Sequence, residues 1–252
     1  MVEVLTTLVD GDIVAYRAAC QKVECVHSDE YPMGKRPATD KQCLVYLDSL
    51  MREILAECSF YNESKKFEVF ITGKGNFRYD IAKTAVYKGN RKDKPKPLGL
   101  KACRERLVKI WGAECSEGEE ADDLIAIAAA KSGYRAVVAS IDKDMLQIKG
   151  MHYNTRKRKF THMDGFDGLH FFYKQILMGD SADNIIGLKG SGPVKAEDRL
   201  QGCRTEGDLW EAVVREYEGN EERVLENARL LWLRRYEGEI WEPPHRRKLK
   251  AE

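Results

Sequence analysis

The sequence predicts an α/β fold with a mostly parallel central sheet and helices on both of its faces. Apolar segments of strand length alternate with longer segments whose apolar residues recur every three or four positions, and this alternation is typical of parallel sheets. Two strand-like segments end directly in aspartate, at Asp10 and Asp142. Because open α/β folds carry their sites at the carboxyl edge of the sheet, the same pattern predicts where a site lies.

The predicted elements are assigned from apolar periodicity and from the residues that begin each segment. The first strand ends at Asp10, and Thr39 or Asp40 is a typical N-cap for the helix that follows a loop over residues 24–38. The predicted strands cover residues 4–9, 67–72 and 134–141, with a hairpin from 151–153 and 159–162. The predicted helices cover residues 13–20, 40–55, 100–111 and 121–130, with helical patterns from 171 onward and over 209–217 and 224–236.

Length and composition limit the class of protein. A chain of 252 residues with 43% hydrophobic residues is long enough to bury one sizeable core. It has no apolar run of about 18 residues, so we expect no membrane span and no membrane partner. The seven cysteines form no Cys-x-x-Cys pair, which favours reduced thiols in the cytoplasm over a zinc site or a disulfide framework.

A basic segment covers residues 74–109. It contains twelve Lys and Arg residues against three Asp and Glu residues, a local balance of +9, although the net charge of the chain is only +1. The remainder of the chain therefore carries a net charge of −8. A cationic segment opposite an anionic site is suited to holding a polyanion such as nucleic acid.

Eight carboxylates lie where apolar segments end or helices begin. So many like charges in one pocket repel one another unless cations bind among them. Carboxylate oxygens are the ligands that Mg²⁺ prefers, and two such ions are suited to phosphodiester hydrolysis. The sequence therefore predicts a divalent-metal site. The predicted ligands are Asp10, Glu120, Asp122, Asp123, Asp142, Asp144, Asp180 and Asp183.

Each group of acids also has a simpler explanation. Residues 120–123 begin an apolar helix, where the helix dipole favours acids, and Asp142 and Asp144 follow a strand, where aspartate commonly caps a turn. The last pair, Asp180 and Asp183, precedes a glycine-rich turn at residues 187–192. The backbone amides of this turn can approach a phosphate closely. The simpler alternative is that the turn is an ordinary corner between two helices.

The order of six short motifs adds a more specific signal. They are Val9-Asp10-Gly11, Phe77-Arg78, Tyr87-Lys88-Gly89-Asn90-Arg91, Glu120-Ala121-Asp122-Asp123, Asp142-Lys143-Asp144 and Gly179-Asp180-Ser181-Ala182-Asp183-Asn184 with the glycine turn after it. Together they resemble the 5′–3′ exonuclease and flap endonuclease family, and most of all its compact bacteriophage members. The resemblance runs from Asp10 to about Leu200, roughly three-quarters of the chain.

This resemblance implies a PIN-like α/β core, a basic arch or clamp and a C-terminal helix–hairpin–helix element that grips duplex DNA. On this comparison residues 1–170 form the nuclease core, with the arch at 74–109, and residues 171–252 form a helical region within the same compact unit. The implied activity is Mg²⁺- or Mn²⁺-dependent hydrolysis, with two ions, of DNA at 5′ ends, flaps or junctions. RNA–DNA hybrids, K⁺ at the hairpin turn, a monomeric state and, for a phage protein, the cytoplasm of a bacterial host are further expectations.

The resemblance also implies roles for individual residues. Asp10, Glu120, Asp122 and Asp123 are expected around one ion, and Asp142, Asp144, Asp180 and Asp183 around the other. The expected catalytic residues are Lys88, Arg91 and Asp122, with Lys88 placed to orient the phosphodiester or stabilise its developing charge. The expected DNA-binding residues are Arg78, Tyr87, Lys88, Arg91, Lys92, Gly187, Lys189, Gly190, Gly192 and Lys195.

One departure from the family pattern lies at the end of the second predicted strand. Relatives carry an aspartate there, whereas this chain has Thr72, which offers a neutral oxygen. We therefore predict weaker binding of the first ion, and spacing favours neither Asp12 nor Asp80 as a substitute. Two other functions compete with the nuclease hypothesis: a PIN-type ribonuclease and a non-catalytic protein that binds DNA junctions.

Overall fold

A computed structural model describes residues 5–91 and 94–247 of the chain. Lys92, one of the predicted DNA-binding residues, lies outside these described residues. The described strands are β1 (Thr6–Asp10), β2 (Lys22–Glu24), β3 (Lys35–Pro37), β4 (Lys66–Lys74), β5 (Glu114–Glu117), β6 (Ala136–Ala139), β7 (Gly150–Asn154), β8 (Lys159–Met163), β9 (Gly179–Asp180) and β10 (Ile185–Ile186). The described α-helices are α1 (Gly11–Ala19), α2 (Asp40–Asn62), α3 (Arg78–Ile81), α4 (Leu100–Trp111), α5 (Ala121–Lys131), α6 (Gly165–Met178), α7 (Pro193–Leu200), α8 (Glu206–Glu216) and α9 (Glu221–Leu231).

The main sheet is mostly parallel, as predicted. Its strands lie in the order β5-β4-β1-β6-β7-β8, so the first strand of the chain lies inside the sheet. β1 pairs in parallel with β4 and β6, and Val9 lies opposite Val69 on one side and Ala139 on the other. β8 pairs antiparallel with β7, which confirms the predicted hairpin. The carboxyl ends of β1, β4 and β6 therefore meet at one edge of the sheet.

Helices cover both faces of this sheet because its inner strands are apolar on both sides. Leu8, Phe70 and Val138 pack in one core with residues of α5. Their neighbours along the strands, Val9 and Ile71 among them, pack in another core with residues of α1, α2 and α4. Apolar residues at successive positions are typical of parallel strands that are buried on both faces. The predicted α/β architecture is confirmed.

Five short strands were not predicted from the sequence, namely β2, β3, β5, β9 and β10. β2 and β3 pair as an antiparallel hairpin, so the loop prediction for residues 24–38 is wrong at its edges. Both strands expose two of their three side chains and carry no apolar alternation. β5 lies at the edge of the main sheet, and its one buried side chain is that of Ser116. A polar inward residue gives no hydrophobic signal.

The basic segment is partly helical. It contains α3, a short 3₁₀ turn at Gly89–Arg91 and α4. Between the first two, Tyr87 is buried in the same apolar core as residues of α6 to α9. The segment is therefore anchored to the helical region at this tyrosine.

The C-terminal helices form a core of their own, rich in aromatic residues. The ring of Phe172 on α6 contacts the rings of Trp232 and Trp241, and Trp210 on α8 contacts Trp241. α6 runs across the boundary expected at residues 170 and 171. The division of the chain into a nuclease core and a helical region stays a prediction.

The end of α9 differs from the sequence prediction. We expected helix to residue 236, whereas α9 ends at Leu231 and Trp232 adopts an extended conformation. The chain then runs to the start of α5, where the backbone N–H of Arg234 donates to Asp123. Among the described residues no helix is both long enough and apolar enough to span a bilayer.

Candidate functional site

Asp10 lies at the centre of the carboxyl edge. It ends β1 and caps α1, where one carboxylate oxygen accepts from the N–H of Ile13 at 3.1 Å and the other from the hydroxyl of Ser140 at 2.6 Å. The residue is almost fully buried. Burial raises the pKa of Asp10 to about 7, with smaller contributions from Asp12 and Asp142.

Glu120 and Asp122 approach Asp10 from the start of α5, which packs on β1 and β4. The pKa of Asp122 lies well above its ordinary value because the surrounding protein desolvates this half-buried group and because Asp10, Glu120 and Asp142 add negative charge around it. We call Asp10, Glu120 and Asp122 the first acidic group. The structure therefore brings these predicted ligands into one electrostatic environment.

The second acidic group consists of Asp142 and Asp144, after β6, and Asp180 and Asp183, after α6. Asp144 accepts from the amide of Gln175 at 2.6 Å, and burial raises the pKa of Asp144 to about 7, with Asp142 adding to the effect. Burial alone would also raise the pKa of Asp180. The hydrogen bond from Lys143, at 2.9 Å, instead brings the pKa of Asp180 below its ordinary value.

Lys88 and Tyr87 connect the two acidic groups. The Lys88 ammonium forms an ion pair with Glu120 and lies 3.5 Å from Asp183 Oδ2. The hydroxyl of Tyr87, a residue only 3% exposed, lies 2.9 Å from carboxylate oxygens of both Glu120 and Asp183. The predicted site residues Tyr87 and Lys88 therefore lie over the acids.

The backbone fixes this part of the basic segment in place. Lys88 adopts φ +53°, a left-handed conformation that costs a non-glycine residue about 1 kcal/mol, and its N–H donates to the carbonyl of Asp183 at 2.8 Å. Arg91 pairs with the Asp183 carboxylate and donates to the carbonyl of Ala182 at 2.9 Å. Arg91 remains half exposed, so its guanidinium also faces solvent.

Two of the predicted site residues are corrected by the structure. Arg78 is 1% exposed and Asp123 is 0% exposed, and the guanidinium grips the carboxylate through two hydrogen bonds of 2.6 and 2.8 Å. Arg78 also donates to the carbonyls of Leu230 and Trp232. Buried side chains that satisfy each other in this way are open neither to a DNA backbone nor to a metal ion. The DNA-binding role for Arg78 and the metal-ligand role for Asp123 are therefore withdrawn.

The glycines of the turn at residues 187–192 have different structural roles. A Cβ on Gly187 would lie 2.3 Å from the backbone nitrogen of Gly179, so Gly187 allows two backbone segments to cross. A Cβ on Gly190 or Gly192 would meet nothing within 4 Å, so the backbone there is open to an approaching group. The turn follows the ribbon of β9 and β10 and leads into α7, and Lys189 and Lys195 are exposed beside it.

Thr72 serves the fold at the position where an acid was expected. Its hydroxyl accepts from the N–H of Ala121 at 3.0 Å and so satisfies the start of α5. Its own N–H donates to Asp12 at 2.8 Å, and Arg104 pairs with Asp12 and with the carbonyl of Thr72. Asp12 is thus next to the gap but is held by Arg104.

Sequence reasoning missed three residues that contact the acids. Ser140 donates to Asp10 and accepts from the N–H of Asp142 at 3.0 Å, and its place two residues before Asp142 was the available signal. Lys143 lies between two predicted ligands in the sequence. Gln175 lies inside a long amphipathic helix, where nothing marks it.

The acidic groups suit hard divalent ions in chemistry, since they supply only oxygen ligands. Within residues 5–91 and 94–247 no three His, Cys, Asp or Glu side chains are arranged to enclose an ion as they stand. Five of the carboxylates, those of Asp10, Glu120, Asp144, Asp180 and Asp183, instead accept from hydroxyl, ammonium or amide groups. These donors are Ser140, Tyr87, Lys88, Lys143 and Gln175.

The fold and the site together define a class: an α/β protein whose sheet edge gathers buried carboxylates beneath a segment that carries lysine and arginine. The family model described as 5′-3′ exonuclease, N-terminal resolvase-like domain, matches residues 5–167. The chain therefore belongs to the 5′–3′ exonuclease family, which confirms the resemblance inferred from the motifs.

Curated relatives agree with this assignment. The chain is 33% identical over 141 residues to the protein named flap endonuclease Xni of Shewanella sp. (strain ANA-3), a match that covers 50% of this chain and 54% of the relative. The protein of the same name from Shewanella oneidensis is 32% identical over the same length, with the same coverage. The chain spans about half the length of the curated relatives it matches.

Solved structures with the same fold include the bacteriophage T5 D15 protein co-crystallised with metal ions. That structure superposes with a TM-score of 0.66 at 17% identity and covers 90% of this chain and 89% of its own. A second structure of T5 D15 flap endonuclease, described as a pseudo-enzyme-product complex with DNA and metal ions, also has a TM-score of 0.66, at 18% identity, with 90% of this chain and 88% of its own covered. Both confirm the fold.

Proposed function

We propose that this chain is a divalent-metal-dependent nuclease that hydrolyses DNA at 5′ ends, flaps or junctions. The observation that carries the proposal is the contact of Lys88 with both acidic groups, through Glu120 and Asp183. It puts a cationic segment directly over a carboxylate site at the sheet edge. A phosphodiester drawn to this segment would lie against the acids, which is where ions that promote its hydrolysis would bind.

The proposed ligands of one ion, Mg²⁺ or Mn²⁺, are Asp10, Glu120 and Asp122, and those of the other are Asp142, Asp144, Asp180 and Asp183. Such ions, when bound, activate the attacking water and stabilise the departing oxygen of the phosphodiester. The buried carboxylates with raised pKa values support this assignment, because a cation would relieve the repulsion among them.

Lys88, Arg91 and Tyr87 are proposed to act on the substrate. Lys88 is close enough to the acids to orient the reacting phosphate and to stabilise negative charge that develops on it. Arg91, which is half exposed, would hold an adjacent phosphate. The hydroxyl of Tyr87 contacts both Glu120 and Asp183, so Tyr87 positions these two carboxylates. To contact DNA directly, the buried Tyr87 side chain would have to move to the surface.

A second DNA contact is proposed at the glycine turn. Gly190 and Gly192 leave the backbone open, and Lys189 and Lys195 add exposed positive charge, which together suit the backbone of duplex DNA. Gly187 supports this contact indirectly by allowing the turn to pack. A helix–hairpin–helix function with K⁺ at the turn, RNA–DNA hybrids as substrates, a monomeric state and a cytoplasmic location remain predictions.

The names of similar proteins support the proposal. The curated relatives are named flap endonuclease, one T5 D15 structure is described with metal ions, and the other is described with DNA and metal ions.

The deciding experiment offers end-labelled flap, nicked, blunt and RNA–DNA hybrid substrates, and single-stranded RNA, with Mg²⁺, Mn²⁺ or EDTA. Release of short 5′ products from DNA with either ion, and none with EDTA, is the expected result. Cleavage confined to RNA would support the PIN-type ribonuclease instead. Binding of the flap without cleavage under every condition would support the junction-binding protein.

A further inference from the structure

Each acidic group is contacted by the ammonium of a lysine. Lys88 lies between Glu120 and Asp183, as described above. Lys143, in the 3₁₀ turn Lys143–Gln147, places its Nζ 2.9 Å from Asp180 Oδ2 and 4.0 Å from Asp144 Oδ1. The charges of both groups are therefore partly balanced by the protein itself.

Asp180 accepts three hydrogen bonds in all. Its Oδ1 accepts the backbone N–H groups of Ala182, at 2.7 Å, and Asp183, at 3.2 Å, and its Oδ2 accepts from Lys143. The residue is only 5% exposed, so solvent reaches it little. A divalent ion that binds to Asp180 Oδ2 would therefore share this oxygen with the Lys143 ammonium or displace it, and the two cations repel each other.

The two lysines differ in how firmly they are held. Lys88 is largely buried, its Nζ lies 5.1 Å from the centre of the Tyr87 ring, and its backbone is fixed to Asp183. The side chain of Lys143 is 55% exposed, and its ammonium contacts Asp180 and Asp144 of the second acidic group. Rotation of Lys143 into solvent therefore breaks its ion pairs with Asp180 and Asp144 and little packing.

We propose that Lys143 is an exchangeable counter-cation of the second acidic group: its ammonium neutralises Asp180 and Asp144 when no ion is bound and is displaced when a divalent ion binds. This inference rests on the proposed function. It assigns to Lys143 a positioning role, in which the lysine keeps the free site assembled and sets the affinity of the second ion. Without Lys143 the acids would present more negative charge to the ion, and the ion would not compete with an ammonium.

The test is calorimetric titration of the whole protein with Mn²⁺ alone, in the absence of DNA. Lys143→Met keeps the apolar stem and removes the charge, and we expect it to tighten Mn²⁺ binding at the second acidic group by about tenfold. Lys143→Arg keeps the charge and should resemble the wild type. Lys174→Met is the matched control, because Lys174 pairs with Glu197, an acid outside both groups. Thermal melting of each variant confirms that it folds.

Each outcome of this titration has one meaning. Unchanged Mn²⁺ affinity in Lys143→Met, or equal tightening in Lys174→Met, overturns the inference while leaving the proposed function intact. Weaker binding in Lys143→Met also overturns it. A wild-type protein that takes up no Mn²⁺ contradicts the proposed function and this inference together. Flap binding in EDTA, measured in parallel, tests whether Lys143 contacts only DNA. In that case Lys143→Met binds the flap more weakly while its Mn²⁺ affinity is unchanged, and the inference is overturned.

Discussion

The guanidinium of Arg78 and the carboxylate of Asp123 form a buried, doubly hydrogen-bonded pair that joins the basic segment to the start of α5. The same guanidinium binds the carbonyls of Leu230 and Trp232, and Asp123 accepts from the N–H of Arg234. Three separate parts of the chain meet at this pair. Since Asp123 directly follows Asp122, the pair also fixes the position of the first acidic group.

Asp123→Asn is therefore predicted to lower stability by about 3–5 kcal/mol, because it leaves the Arg78 charge buried without its partner. Urea denaturation followed by circular dichroism measures this loss. Asp80→Asn, an exposed change on the same short helix as Arg78, is the matched control and should change stability little. A loss no larger in Asp123→Asn than in the control would mean that the pair contributes nothing to stability.

Stability of the metal-free protein is predicted to fall as the pH rises towards 7. Burial raises the pKa of Asp10 and of Asp144 to about 7 in the folded protein, against about 4 in an unfolded chain. Folding therefore favours the protonated acids, and this contribution is complete below pH 4 and is lost as the pH rises through 7. The loss is at most about 4 kcal/mol for each group.

Thermal melting in EDTA at pH 6 and pH 8 measures this effect. Asp10→Asn keeps a side chain that can cap α1 and removes the titrating group, so it should melt at a higher temperature than the wild type at pH 8. Mn²⁺ should raise the melting temperature of the wild type more at pH 8 than at pH 6. Equal melting of wild type and variant at pH 8 would refute the assignment of the shift to Asp10.

Arg91→Ala is predicted to weaken flap binding and to make it less dependent on salt. One phosphate contact fewer reduces the slope of the logarithm of affinity against the logarithm of salt concentration by about 1. Fluorescence anisotropy in EDTA at several salt concentrations measures both quantities. Arg52→Ala, exposed on α2 and outside the basic segment, is the control. An unchanged slope in Arg91→Ala would show that Arg91 contacts no phosphate.

Thr72→Asp is predicted to lower the Mn²⁺ concentration needed for half-maximal cleavage, by about tenfold. The new carboxylate can still accept from the N–H of Ala121, as the hydroxyl does now, and its second oxygen adds charge beside the first acidic group. Thr161→Asp, on the exposed side of β8, should leave the Mn²⁺ requirement unchanged. No difference between the two variants would show that the missing acid has no effect on the metal.

The sequence predicted the fold and the two acidic groups because both depend on local patterns. Apolar runs that end in aspartate place Asp10 and Asp142 at the sheet edge through the parallel register alone. The burial of Arg78 depends instead on its contact with the chain at the end of α9, about 150 residues later in the sequence. No local sequence pattern predicts that contact. Asp123 and Asp122 are neighbours of the same chemical type, and only the packing of α5 decides which of them is buried in an ion pair.

Contacts that neutralise the acids were also hidden from the sequence. Ser140 and Gln175 are ordinary residues for a strand end and for a helix, and their hydrogen bonds arise from how β6 and α6 pack. β5 was missed for a related reason, since its inward residue is polar. The sequence therefore locates the charges of the site, whereas tertiary packing determines how each charge is balanced.

The most direct test of the account compares the wild type with Asp122→Asn on one 5′-labelled flap, with cleavage measured in Mn²⁺ and binding measured in EDTA. Asp122 lies among the other acids at the centre of the first group, so the account predicts that cleavage falls by at least about a thousandfold while the affinity for the flap changes by less than about threefold. Cleavage by Asp122→Asn at the wild-type rate would contradict the account, as would a loss of flap binding as large as the loss of cleavage.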